Sequence, residues 1–410
     1  MRRIFVLLTS TLFVWSVSAG LAGAQGASLG RKVVRSGGRT GIRSAADKVG
    51  SSNNLMVPVS SSVRKTVSSM HPILPSTVSP TDPLIRRVVQ ARETTKQPTN
   101  LYSGTVFQME YNGHKEVYIA VAAHALVSDS QVLHKRFTID VYIGEGKYKS
   151  VEVEIVQVSA PSMLDIAIGK ILEGGEELVP FAISHTPLTA GQEAVSYGFA
   201  GQKMVIVPNR SFLSETPLCV RTTMPYPRTD RPGLCGSALV DEETGELLGV
   251  HTGSSYETKK PEQEDVGHAT KASLLEVLVD AFHHGGEGTF PLVLGGQKVL
   301  DMPVDGYISE IRLLNDAGKP LWRRGFESKF AYDQVNEQIS RLSPRYIELT
   351  VRRVLWEGDQ LIEVRKSWDR TRRSYRYDLQ EGRMVWASKP KEPPSNRRAV
   401  VNLLLGIPNY

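Results

Sequence analysis

Gly233-Leu234-Cys235-Gly236-Ser237-Ala238-Leu239-Val240 lies just ahead of a second apolar run, Leu247–His251. Glycine on both sides of Cys235 permits a tight turn and close approach by another molecule. The backbone N–H groups of Gly233 and Cys235 are candidates to converge on one developing oxyanion. Two shorter stretches upstream complete a set. Ala122-Ala123-His124-Ala125-Leu126 ends an apolar strand, and Leu164-Asp165-Ile166-Ala167-Ile168 opens another. Singly, each is ordinary: a core histidine, a turn aspartate, a structural cysteine. In the order His, Asp, Cys they supply a base, an acid that orients the base, and a nucleophile.

Outward from these motifs, residues 101–285 read as short strands. They include Gly104–Tyr111, Glu116–Ala123, Phe137–Ile143, Ser150–Val158, Asp165–Ile171, Glu193–Phe199, Met204–Val207, Ser237–Val240 and Leu247–His251. Val151-Glu152-Val153-Glu154-Ile155 shows the period of two. Asn112-Gly113, Gly144-Glu145-Gly146 and Gly174-Gly175 are turn signals. Regular short strands with such punctuation predict an all-β barrel or sandwich. A helix closes the run: Ser273-Leu274-Leu275-Glu276 reads as a capping box, with Leu274, Leu278, Ala281 and Phe282 on one face.

At these motifs the chain resembles the chymotrypsin-like, or trypsin-like, peptidases over roughly residues 101–285. Ala122-Ala123-His124 is similar to T-A-A-H-C, with Val121 in place of Thr and Ala125 in place of Cys. Asp165-Ile166-Ala167 resembles D-I-A-L, and Gly233–Val240 resembles G-D-S-G-G-P-L-V. That register puts Cys235 at the nucleophile position, as in the picornavirus-type cysteine proteases of the same fold. Ser237 is the alternative nucleophile, two residues late. The resemblance implies a chymotrypsin-like double β-barrel with a C-terminal helix. It implies a Cys235–His124–Asp165 triad, an oxyanion hole from Gly233 and Cys235, a protein or peptide substrate, and no cofactor or metal. Gly249-Val250-His251-Thr252-Gly253 resembles the G-x-H-x-x-G wall of the specificity pocket, with the second Gly one residue early. Thr229, six residues before Cys235, falls where the family has the pocket floor. A Thr229–His251 pair suits Gln or Glu before the scissile bond, with Gln slightly favoured because residues 101–285 are acidic.

A second reading stays open beside the thiol. The chain has two cysteines, Cys219 and Cys235. In an oxidising compartment an even count favours pairing. A Cys219–Cys235 bridge would leave a non-catalytic peptide-binding protein on a peptidase fold.

The flanks follow. Arg2 and Arg3, an apolar Phe5–Val17 and the small-residue site Ala22-Gly23-Ala24 form a cleavable signal over residues 1–24. This predicts a secreted or periplasmic protein. Residues 25–98 are rich in Ser, Thr, Arg and Gly, and are expected to be a disordered tether, propeptide or spacer. Residues 287–388 predict a smaller β-rich (α+β) module: a hairpin (Ile308–Leu314, Pro320–Arg324), a helix near Tyr332–Leu342 and a meander (Tyr346–Leu355, Gln360–Trp368, Arg373–Leu379). Residues 389–410 are a Pro- and charge-rich tail. The module's Trp and Arg residues, such as Trp368, Arg370, Arg373 and Arg376, offer a surface for a protein or a polysaccharide.

Composition excludes some classes. Two cysteines rule out a disulfide-dense scaffold and a Cys-based zinc array. No internal run reaches the ~18 apolar residues of a membrane span. The net charge of +6 suggests an anionic partner, but Lys and Arg outnumber acids 12 to 3 over residues 25–100. Over residues 101–285 acids lead 24 to 14. A nucleic-acid partner would need a basic folded face, and none is expected here.

Overall fold

The computed structural model describes residues 71–93, 100–126, 133–255, 265–325, 331–357, 360–363 and 372–388. Its first strands are β1 (Val88–Glu93), β2 (Asn100–Tyr111), β3 (His114–Ala122), β4 (Leu133–His134), β5 (Arg136–Gly144), β6 (Lys147–Val158) and β7 (Ile166–Ile171). All but β4 close into an antiparallel barrel in the order β1-β2-β3-β7-β6-β5, with β1 pairing β5. The alternation in β6 works as read: Val151, Val153 and Ile155 are buried between solvent-facing Glu152 and half-buried Glu154. Side chains on a strand point alternately to opposite faces, so one face fills the barrel.

A second barrel follows: β8 (Glu193–Ala200), β9 (Lys203–Glu215), β10 (Cys219–Met224), β11 (Ala238–Asp241), β12 (Leu247–Ser255) and β13 (Asp265–Lys271). Its order is β10-β13-β12-β11-β8-β9, closed by β9 on β10. Helix α1 (Ala272–His283) then buries Leu274, Leu275, Leu278, Val279 and Ala281. This is the double β-barrel and closing helix that the sequence predicted.

Two expectations are corrected. The segment 25–98 is not disordered throughout. Residues 71–93 are ordered, and β1 buries Val88, Val89 and Ala91 and completes the first barrel. Three apolar side chains suffice because β1 is hydrogen-bonded on both edges and fills one slot of a closed sheet. The rest of that segment, 25–70 and 94–98, lies outside the described residues, as do the signal 1–24 and the tail 389–410. The capping box is also absent. Lys271 is the N-cap, without a side-chain cap bond, and Ser273 and Glu276 lie inside the helix.

Beyond α1, β14 (Thr289–Leu294) and β15 (Gln297–Pro303) make a hairpin the sequence did not reveal. A sheet follows, built from β16 (Gly306–Leu314), β17 (Pro320–Arg324), β18 (Tyr346–Glu357), β19 (Gln360–Glu363), β20 (Arg373–Asp378) and β21 (Arg383–Ala387), with α2 (Ala331–Leu342) between β17 and β18. β18 pairs β16 on one edge and β20 and then β19 on the other, and β19 pairs β4. One apolar core runs continuously from the first barrel through α1 into this module.

Candidate active site

Strand pairing brings His124 to Asp165. β3 pairs β7 with Ala122 opposite Ile166, so the turn after β3 lies beside the residue before β7. That turn is a single 3-10 turn, Ala123–Leu126, carrying His124. The Ala123 N–H donates to the Asp165 carbonyl at 2.9 Å. Asp165 is buried and adopts φ 58°, a left-handed conformation that costs a non-glycine residue energy. This twist aims its carboxylate at His124. Oδ2 lies 2.7 Å from His124 Nδ1, and Oδ1 accepts the His124 N–H at 2.9 Å. Held at Nδ1, the imidazole presents Nε2 outward.

His124 also hydrogen-bonds the Cys235 side chain. Burial pulls its pKa down, but Asp165 and Cys235 outweigh burial by charge and hydrogen bonding, and push it up to about 10. An imidazole held against a buried carboxylate favours its charged form.

The cysteine loop is gripped from two sides. Within the second barrel, the Gly236 N–H donates to the His251 carbonyl at 2.7 Å, and the His251 N–H donates to Ser237 at 2.8 Å. From the first barrel, β2 takes three carbonyls of the loop. The Ser103 N–H donates to Cys235 O at 3.1 Å, Ser103 Oγ to Gly233 O at 2.9 Å, and Thr105 Oγ1 to Gly236 O at 2.7 Å. With these carbonyls bound behind, no backbone acceptor among the described residues takes the N–H of Gly233 or Cys235. Both glycines are required. Gly236 has φ 94°, and a Cβ there would lie 1.9 Å from the Ser103 carbonyl oxygen. Gly233 has φ 98°, and its Cβ would lie 2.6 Å from the Gly201 nitrogen. Ser103 and Thr105 were not among the sequence candidates.

Two alternatives fare differently from the trio. Neither Cys219 nor Cys235 is in a disulfide, so the Cys219–Cys235 bridge is not formed. Cys219 sits on β10 opposite Thr270, with its sulfur 3.7 Å from His268 Nδ1. The strand pairing commits Cys219 to that neighbour. Ser237 is buried in the barrel wall against Gly198, whose Cβ would lie 2.3 Å from that of Ser237.

The expected pocket pair is not assembled by the described contacts. Thr229 is exposed on the 3-10 turn Arg228–Asp230, where its hydroxyl donates to Asp230 at 2.9 Å. His251 is buried, and its backbone braces the cysteine loop. The approach to that loop is pinned by arginines instead. Arg228 Nε lies 2.6 Å and Arg231 Nη1 2.8 Å from Asp265 Oδ2 on β13.

No family model and no curated protein sequence matches the chain. Solved structures are similar at low identity. An inactive form of Rv3671c from M. tuberculosis H37Rv, a serine-to-alanine mutant, is 17% identical, over 49% of this chain and 88% of that one, with a TM-score of 0.32. The MamO protease domain from Magnetospirillum magneticum is 15% identical, over 47% and 95%, with a TM-score of 0.33. The active form of the Rv3671c protease from M. tuberculosis is 15% identical, over 56% and 95%, with a TM-score of 0.35.

Proposed function

We propose that this chain is an endopeptidase that hydrolyses peptide bonds through a Cys235–His124–Asp165 triad. The observation that carries the reading is His124, held by Asp165 at 2.7 Å on one nitrogen and hydrogen-bonded to Cys235. The Cys235 thiolate adds to the scissile carbonyl carbon, and the oxyanion takes the N–H groups of Gly233 and Cys235. As the tetrahedral intermediate collapses, His124 gives its proton to the leaving amine and a thioester remains. His124 then takes a proton from water, whose oxygen attacks the thioester. The acid product leaves, and the proton returns the site to its starting form. Asp165 holds the imidazole throughout and stabilises its charge. That Cys219 and Cys235 are not joined in a disulfide favours this reading over the bridged, non-catalytic alternative.

Export through the 1–24 signal to a secreted or periplasmic location belongs to the same proposal. So does a protein or polysaccharide partner for the C-terminal module, where Arg376 lies 5.7 Å from the Trp386 ring. The test is cleavage of a peptide library by the full chain, with iodoacetamide labelling of Cys235. Wild type should hydrolyse and be labelled at Cys235, and Cys235→Ala should do neither while remaining folded. Undiminished hydrolysis by Cys235→Ala would overturn the assignment.

A further inference from the structure

The second barrel contains a buried cation for which the triad has no use. Arg210, on β9 opposite Ala194, is fully buried. Its Nε donates to the Thr223 carbonyl at 3.1 Å and its Nη1 to the Ser196 hydroxyl, both neutral acceptors. Its Nη2 has no partner among the described residues, and none of their carboxylates pairs with it. Burial and then repulsion from Arg231 draw its pKa down to about 9, which leaves it charged at neutral pH. A buried charge without a counter-charge is costly.

Its place links it to the site. A Cβ on Gly267 of β13 would lie 2.0 Å from Nη2, so the guanidinium rests on that glycine. Gly267 pairs with Ser254 of β12, the strand that carries His251. Ser196 pairs with Leu239 of β11, the strand that the Cys235 loop enters. Arg231, whose charge Arg210 feels, lies four residues before Cys235. Arg228 and Arg231 both pair with one carboxylate, Asp265, which leaves Arg210 beside them without a counter-charge among the described residues. The acidity of residues 101–285 as a whole favoured Gln slightly over Glu. The charge around this end of the barrel is positive, and it reverses that preference.

We propose that Arg210 is a specificity-determining residue and that the enzyme cleaves after acidic side chains, Glu or Asp, whose carboxylate takes the free Nη2. This rests on the peptidase reading of the site. Gly267 leaves the room that the guanidinium occupies, so a side chain there displaces it. A charge-assisted bond to a buried guanidinium discriminates a carboxylate from the isosteric amide.

The experiment compares matched peptides carrying Glu, Gln, Asp or Asn before the scissile bond. Wild type should favour Glu over Gln by at least about 10-fold in kcat/KM. In Arg210→Met the ratio should fall to near one, and Arg210→Lys should recover part of it. Gly267→Ala should lower the ratio by moving the guanidinium, and it serves if Arg210→Met does not fold. A wild-type ratio of one or less, or a ratio unchanged in these variants, overturns the proposal and leaves the triad standing. Calorimetry on Cys235→Ala, with peptides ending in Glu or in Gln amidated at the C-terminus, separates the two readings. Tighter binding of the Glu peptide supports Arg210 even if wild type cleaves nothing. Equal binding rejects it.

Discussion

Ser103 Oγ donates to the Gly233 carbonyl at 2.9 Å and accepts the Phe199 N–H at 2.7 Å. One hydroxyl on the first barrel thus holds both the cysteine loop and a strand of the second. Ser103→Ala leaves two buried backbone groups unpaired, at a cost of about 1–3 kcal/mol. If Gly233 is an oxyanion donor, its N–H loses its bearing. We expect kcat to fall roughly 10-fold with KM little changed, measured by steady-state kinetics beside a thermal melt.

The acid–base pair should titrate high. His124 is raised from 6.5 to about 10, so its proton is held through neutral pH. The sign follows: the raised pKa stabilises the fold fully below about 6.5, and that contribution is lost as pH rises through about 10. kcat/KM should stay level through neutrality and fall towards pH 10 as the acid for the leaving amine is lost. In Cys235→Ala the contribution of Cys235 to the raised pKa is gone, and the His124 titration followed by NMR should move down. A wild-type midpoint near 6.5 would contradict the pair.

Asp165→Asn should keep the fold, because Asn tolerates the left-handed backbone at φ 58°. The amide cannot hold the same tautomer of His124 or stabilise its charge. Turnover should drop by roughly 100-fold or more, with substrate binding retained. Product-release and burst kinetics would read the loss in the chemical step.

Gly236→Ala should separate the barrels. The new Cβ would lie 1.9 Å from the Ser103 carbonyl oxygen, and backbone cannot yield as a side chain tip does. With the left-handed penalty added, destabilisation of at least ~2 kcal/mol is expected. A denaturant midpoint unchanged from wild type would show that the close approach is not maintained.

Deleting residues through 98 should be damaging. It removes β1, which pairs with both β2 and β5, and Gln90, whose side chain donates to the Gly201 carbonyl at 2.8 Å. The opened barrel exposes two unpaired edges. Loss of soluble, folded protein is the expected outcome, assayed by circular dichroism and gel filtration.

Much of this architecture was legible in the sequence, and the reasons are local. β6 announced itself because it alternates, and the Asn112-Gly113 turn because both residues take positive φ. The His124, Asp165 and Cys235 stretches were readable because each joins a short motif to a strand end. β1 and β13 were missed because Gln90, Arg92, Asp265 and His268 break the apolar pattern, and only barrel closure explains them. Ser103, Thr105 and Arg210 were invisible for another reason. Each acts across the barrels or across strands, and no spacing along the chain marks such contacts.

The pairing of β4 with β19 carries a consequence for synthesis. The segment that follows the His124 turn ends on a strand whose partner among the described residues comes only from Gln360–Leu361. A ribosome adding ~5–20 residues each second reaches that partner on the order of tens of seconds after His134. Until then β4, which lies outside the closed first barrel, has no strand to pair with among the described residues. Completion of the arm beside the base is therefore among the last events of assembly, and a chain released early would lack it.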